Sequence, residues 1–215
     1  MSPTFVAAPA PRAARSFFAE DAATLAVRLL GQRLVRVLEG GTRLSGVIVE
    51  TEAYLGVHDR ASHAWNGRRT PRNEAMYAAP GTTYVYFTYG MHFCFNVVCG
   101  RTGEPAAVLI RSLAPVEGLD AMHVRREKAP RPARPLRDTD LCSGPGKLCR
   151  ALGIDRQLNG ADLTRDRRVF VERLRRGPLD VELIGTGPRI GVGSAGRWAA
   201  EPLRWFVKDC PHVSR

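Results

Sequence analysis

Thr82-Thr83-Tyr84-Val85-Tyr86-Phe87-Thr88-Tyr89-Gly90-Met91-His92-Phe93-Cys94-Phe95-Asn96-Val97-Val98 decides the fold. Two aromatic and β-branched runs meet at one glycine, the pattern of a β-hairpin turning at Gly90. Extended chain alternates its faces, so Tyr84 and Tyr86 point the same way and Tyr89 takes the opposite parity at the turn. Upstream, residues 43–53, rich in Leu44, Val47, Ile48 and Val49, read as a strand paired with a strand at 32–38 across Glu39-Gly40-Gly41. A helix is predicted near 21–30, with Asp21 as N-cap and Gly31 at its end. Gly56 to Pro80 is polar and reads as a loop with a short helix.

Downstream, Val108–Arg111 reads as a short strand, Pro115–Arg126 as a helix and Ala129–Asp138 as a Pro/Arg-rich linker. A helix over Pro145–Leu152 opens with Gly-Pro and closes at Gly153. Strands are expected from Val169 onward, the last over Leu203–Val207. This order predicts one α+β domain, 15–215, around a curved, largely antiparallel β-sheet with a protruding hairpin. The Ala/Pro-rich residues 1–14 are expected to be a disordered lead-in.

The chain of 215 residues carries 32 basic against 21 acidic side chains, a net charge of +11. Apart from Lys128, Lys147 and Lys208 the basic residues are arginines. A codon bias would exchange lysine for arginine without creating a surplus. The surplus favours a polyanionic partner, because phosphate contacts release counterions. No apolar run reaches the roughly 18 residues of a membrane span, and no long amphipathic basic helix is visible, so nucleic acid is expected rather than a membrane. A cytoplasmic protein, nucleoid-associated if bacterial, is expected. Cys94, Cys99, Cys142, Cys149 and Cys210 form no Cys-x-x-Cys pair, which predicts free thiols and no metal.

Two glycine motifs fail in context. Gly191-Val192-Gly193-Ser194-Ala195-Gly196 fits a dinucleotide fingerprint by letter, but no helix, second strand and ribose-binding acid follow it. Ser143-Gly144-Pro145-Gly146-Lys147-Leu148 resembles a phosphate loop, yet Leu148 stands where a magnesium-binding hydroxyl is required. Lys147 at the helix start remains a possible phosphate contact.

Val49-Glu50-Thr51-Glu52-Ala53-Tyr54 places Glu50, Glu52 and Tyr54 on one strand face. The plainer reading is two solvated acids on an edge strand. The chemical reading is a carboxylate that takes a proton from water and offsets oxocarbenium charge during cleavage of an N-glycosidic bond. Tyr54, Tyr86 and His63 could stack a purine, although either tyrosine alone more often belongs to a core. Tyr89 beside Gly90 reads as a wedge filling the hole left by an extruded nucleotide. Asn96 could read a base edge or simply pair with backbone. Arg111 could order Glu52 and a water or make an ordinary ion pair.

The blocks Glu50-Thr51-Glu52-Ala53-Tyr54-Leu55-Gly56, Thr70-Pro71-Arg72-Asn73, Pro80-Gly81-Thr82-Thr83-Tyr84-Val85-Tyr86, Tyr89-Gly90-Met91, Leu141-Cys142-Ser143-Gly144-Pro145 and Arg189-Ile190-Gly191-Val192-Gly193 closely resemble the alkyladenine (3-methyladenine) DNA glycosylase family, in order, from about Ser16 to the C-terminus. The resemblance implies a monomeric, cofactor-free base-excision repair enzyme that binds double-stranded DNA, flips a damaged purine and hydrolyses its glycosidic bond. It implies Glu52 as general base, Arg111 as support for the nucleophilic water, and Tyr54, His63 and Tyr86 around the base. It places Asn96 where purines are screened by their 2-amino group and Tyr89, with Met91, in the DNA stack; Arg72 and Lys147 are candidate phosphate contacts. His92 departs from the family pattern, in which an aromatic follows Met91. The cationic lesions 3-methyladenine and 7-methylguanine are the expected substrates, with ethenoadenine and hypoxanthine as further candidates that also need leaving-group protonation. The alternative is a non-catalytic nucleic-acid binding module on the same fold.

Overall fold

The computed structural model describes residues 10–128 and 135–214. Along the chain lie α1 (Arg15–Phe18), α2 (Ala22–Leu29), β1 (Arg33–Val37), β2 (Arg43–Tyr54), β3 (Thr83–Thr88), β4 (His92–Cys99), β5 (Ala106–Glu117), α3 (Leu119–Glu127), α4 (Asp138–Leu141), α5 (Pro145–Leu152), β6 (Val169–Glu172), β7 (Ile184–Gly187) and β8 (Arg204–Val207). The strands form one eight-stranded sheet in the order β3-β4-β5-β2-β1-β6, with β8 pairing both β2 and β7. Every strand pair is antiparallel. This is the α+β class expected from the sequence.

Strand β2 holds the sheet together. It pairs with β5 along one side, while β1 takes its first half and β8 its second half on the other. The edge-strand reading of Glu50 and Glu52 is therefore overturned: both sit mid-sheet and are fully buried. Period-two alternation then separates two faces. Phe95 and Val97 of β4, and Val108 and Ile110 of β5, enter the main core with Leu25 and Leu29 of α2 and Leu148 and Leu152 of α5. Thr51 donates to the Ala26 carbonyl of α2, so Glu50 and Glu52 face away from that helix. A smaller apolar cluster of Ala64, Met76, Tyr84, Val98 and Ala107 covers part of this second face.

The helix α2 begins at the expected cap, where the Asp21 carboxylate accepts from the Thr24 amide at 2.9 Å. The helix α5 spans the predicted residues. Three expectations are corrected. The short strand at 108–111 is a twelve-residue strand running to Glu117, so the helix does not start at Pro115. Ser45 opposite Glu117 and Gly46 opposite Pro115 keep the chain extended there. The turn comes only at Gly118, whose φ of +75° and contact with Leu44 leave no space for a Cβ. Between Gly56 and Pro80 the expected helix is replaced by three single 3₁₀ turns. The C-terminal part of the expected lead-in is ordered: Ala13 is buried and its amide donates to Val171 of β6. Residues 1–9 of that lead-in, and 129–134 of the linker, lie outside the described residues.

Candidate active site

Glu50 and Glu52 share Arg111 of β5, and a defect in strand pairing brings the three together. Ser112 stands opposite Glu50 and Ile110 opposite Thr51, so Arg111 falls in a register shift of the β2–β5 ladder. Such bulges re-aim a side chain at the cost of local pairing. The Arg111 guanidinium reaches Glu50 Oε1 at 3.1 Å through Nε and Glu52 Oε1 at 2.9 Å through Nη1.

The two acids are otherwise treated differently. Glu50 also accepts from Arg204 at 3.0 Å, the Ser112 hydroxyl at 2.8 Å, and the Ser214 amide and hydroxyl, each at 2.9 Å. Burial disfavours its charge, but Arg111 and the bonds from Ser214 and Ser112 outweigh that and hold its pKa below the ordinary glutamate value. Glu52 accepts from the Ile190 amide at 2.7 Å on Oε1 and from the Tyr54 hydroxyl at 2.9 Å on Oε2. Here burial wins over Arg111 and the two hydrogen bonds, and the pKa is raised. A saturated, stably ionised acid thus lies beside an under-solvated one, and only the second is set up to take a proton.

A cavity of about 430 Å³ opens on this face. Its walls bring together Tyr54, His63, Tyr86, Asn96 and Arg111, with Tyr89 of the hairpin turn at its lining. Glu52 lies directly behind Tyr54, Arg111 and Ile190, which touch its oxygens and themselves line the cavity. His63 packs edge-on against Tyr86, ring centroids 4.6 Å apart, and its Nδ1 meets the Tyr84 hydroxyl at 2.7 Å. Burial, helped by Arg72 and Arg68, lowers the His63 pKa to about 4, so the imidazole is neutral at pH 7. Burial likewise pushes the Tyr54 and Tyr86 hydroxyls upward, so the aromatic part of the wall is uncharged. Asn96 spends its amide NH₂ on the Tyr84 carbonyl at 2.9 Å, which leaves Oδ1 as its acceptor.

The hairpin turn carries Tyr89 and Met91, 78% and 68% exposed. The Met91 amide closes on the Thr88 carbonyl at 3.2 Å, and both central residues have positive φ, 51° at Tyr89 and 68° at Gly90. His92 is set against α5, its ring occupying the space a Gly146 Cβ would take. Arg72 donates to the Phe87 carbonyl at 3.1 Å and lines a neighbouring cavity with Arg60 and Arg68. Lys147 sits at the start of α5, bonded to the Ser143 hydroxyl at 3.3 Å.

Several site residues were not singled out from the sequence. Tyr84 is legible, since it shares strand parity with Tyr86. Cys94 has the parity of Asn96 on the paired strand and also lines the cavity. Arg204 and Ser214 come from distant chain, and no local signal announces them. The Gly191 segment, set aside as a nucleotide motif, leads into a 3₁₀ stretch over Gly193–Ala199, and its preceding residue supplies an amide to Glu52. Among the described residues no group of His, Cys, Asp and Glu could hold a metal, and no helix is long and apolar enough to cross a membrane.

Residues 16–211 match the family model described as methylpurine-DNA glycosylase (MPG). A human protein named DNA-3-methyladenine glycosylase is 48% identical over 202 residues, covering 92% of this chain and 66% of its own length. The mouse protein of that name is 48% identical over 203 residues, of which this chain spans 60% of the length. The chain therefore covers less than two thirds of these mammalian relatives. A Myxococcus xanthus (strain DK1622) protein, whose name likewise refers to 3-methyladenine DNA glycosylase, is 49% identical over 201 residues, 93% of this chain and 92% of its own. With nine-tenths of its length accounted for in this way, and with the acids, tyrosines and histidine of the matching blocks gathered at one cavity, the chain belongs to the methylpurine-DNA glycosylase family.

Proposed function

We propose that the protein is a monofunctional DNA glycosylase of base-excision repair that flips damaged purines from double-stranded DNA and hydrolyses their N-glycosidic bond. The observation that carries this reading is the asymmetry of the two buried acids behind an aromatic cavity: Glu50 is fully engaged, whereas Glu52 has a raised pKa and contacts three cavity-wall residues. A binding module has no use for that arrangement. Its volume of about 430 Å³ falls within the range of small-ligand sites.

Glu52 accepts the proton of a water attacking C1′ and offsets the oxocarbenium charge, while Arg111 holds its carboxylate in place. Tyr54, His63 and Tyr86 form the stacking wall, and Asn96 presents Oδ1 to a base edge. Neutral His63 matters for selectivity, because an imidazolium there would repel a purine alkylated at N3 or N7. Such a purine is already cationic and departs without an added proton. 3-Methyladenine and 7-methylguanine are accordingly the primary substrates. Ethenoadenine and hypoxanthine, being neutral, require leaving-group protonation, and neutral His63 offers no imidazolium to supply it at pH 7. Tyr89 and Met91 enter the stack beside the flipped nucleotide, and weak pairing of damaged bases makes that flip easier. Arg72 and Lys147 contact phosphates. The enzyme acts as a monomer and needs no cofactor.

Single-turnover incubation with duplexes carrying each lesion tests this directly. Free 7-methylguanine released well ahead of hypoxanthine is the expected result. Binding without release of any base would leave the module reading standing instead.

A further inference from the structure

Two of the three contacts that hold Glu52 depend on a buried ion pair outside the residues so far given a role. Arg189 and Asp59 are both fully shielded and pair through both guanidinium nitrogens, Nη2 to Oδ1 at 2.9 Å and Nη1 to Oδ2. Nη1 also donates to the Ala53 carbonyl, between Glu52 and Tyr54, at 2.9 Å. The guanidinium carbon lies 4.8 Å from the centre of the Tyr54 ring. Arg189 is also the residue before Ile190, whose amide donates to Glu52. Asp59 secures the other side by accepting from the Leu55 amide at 3.1 Å and the Ala61 amide at 2.9 Å. Arg189 Nε is buried with no partner among the described residues. Full hydrogen bonding therefore does not explain the pose, whereas the fork on Asp59 and the tyrosine ring do.

We propose that Arg189, clamped by Asp59, is a positioning residue for the glycosidic-bond chemistry: it fixes the Tyr54 hydroxyl and the Ile190 amide on the two oxygens of Glu52. The inference rests on the glycosylase reading above. With the clamp released, Glu52 loses donors on both oxygens while its burial persists. Its pKa then rises further and its carboxylate is less well aimed.

The test compares wild type with Arg189→Gln, Arg189→Lys and the double variant Asp59→Asn/Arg189→Gln. The double variant is needed because a single change strands one buried charge, whereas removing both leaves neutral hydrogen-bonding groups. Single-turnover release of 7-methylguanine is followed across pH, together with affinity for duplex carrying a tetrahydrofuran abasic analogue. The expected result is a rate reduced on the order of 100-fold, unchanged affinity for the analogue, and an acidic limb of the pH profile displaced to higher pH. Arg189→Lys should recover part of the rate, since it keeps the charge and loses the fork. Wild-type rates with an unmoved limb would overturn the inference, and so would rate and affinity falling together with the limb unmoved, which marks a structural strut. Should wild type itself release no base, the glycosylase reading falls first.

Discussion

Glu50 and Glu52 are the same residue type two positions apart, and their neighbours divide the labour. Glu50 accepts from Arg111, Arg204, Ser112 and Ser214. Removing its charge leaves Arg111 and Arg204 short of a partner, so Glu50→Gln should destabilise the fold by about 3–5 kcal/mol at pH 7. The folded-state pKa lies below the usual value near 4.5. The stabilisation is therefore fully present above that pH and fades as pH falls through the folded pKa. Urea unfolding of both forms should show the difference constant from neutral pH to about 5 and shrinking below. His63 gives a second expectation at this scale. With its pKa lowered to about 4, the ring stays neutral at neutral and mildly acidic pH. Its imidazole NMR signals should hold their neutral positions from pH 8 to 5; a midpoint near 6.5 would remove the basis for the neutral wall. Only the family resemblance pointed from the sequence to Glu52 rather than Glu50 as the proposed base. Spacing puts both on one face, and the distinction rests on Ser214 and Arg204, more than 150 positions away in chain, and on a register shift at Arg111.

The hairpin of β3 and β4 ends in a turn whose backbone is left-handed at a tyrosine, with φ of 51° at Tyr89. A type I′-like turn ordinarily takes Asn or Gly there, because a bulky side chain with positive φ is strained. This strained residue is 78% exposed and is the one proposed above to enter the DNA stack. Tyr89→Asn should raise stability on the order of 1 kcal/mol and slow excision from duplex. Thermal melting and single-turnover rates on the same preparation check both signs; a stabilised variant with full activity would remove the wedge. The hairpin, the β1–β2 pair, α2 and α5 were all legible because alternation, turn glycines and caps agree with one another. The strand β5 was legible only over Val108–Arg111. Ser112 and Pro115 interrupt its apolar run, and pairing to Ser45 and Gly46 overrides them. The 3₁₀ turns between Gly56 and Pro80 escaped for a related reason, since single turns bury too little to leave a periodic signature.

Across the molecule the +11 charge is not spread evenly among partners. Arg15, Arg28, Arg43, Arg69 and Arg168 each face a carboxylate. Arg60, Arg68 and Arg72 converge on the cavity behind His63 and have no carboxylate among the described residues. These, together with Lys147 at the start of α5, are the side chains expected to meet backbone phosphates. Alanine at each should weaken binding to damaged and undamaged duplex alike and reduce the slope of log K against log salt by about 0.9. An unchanged slope would place the DNA elsewhere. The surplus charge and most of the cavity wall were readable in the sequence; the Asp59–Arg189 clamp, which joins segments 130 positions apart, was not. The proposed glycosylase chemistry stands or falls on Glu52 as the activator of the hydrolytic water. Its most direct test is single-turnover release of 7-methylguanine from duplex by wild type and by Glu52→Gln, with binding to lesion duplex measured on both. Release by wild type alone, with binding retained by the variant, is the expected result. Equal release by the two proteins would contradict the assignment of Glu52 as the base.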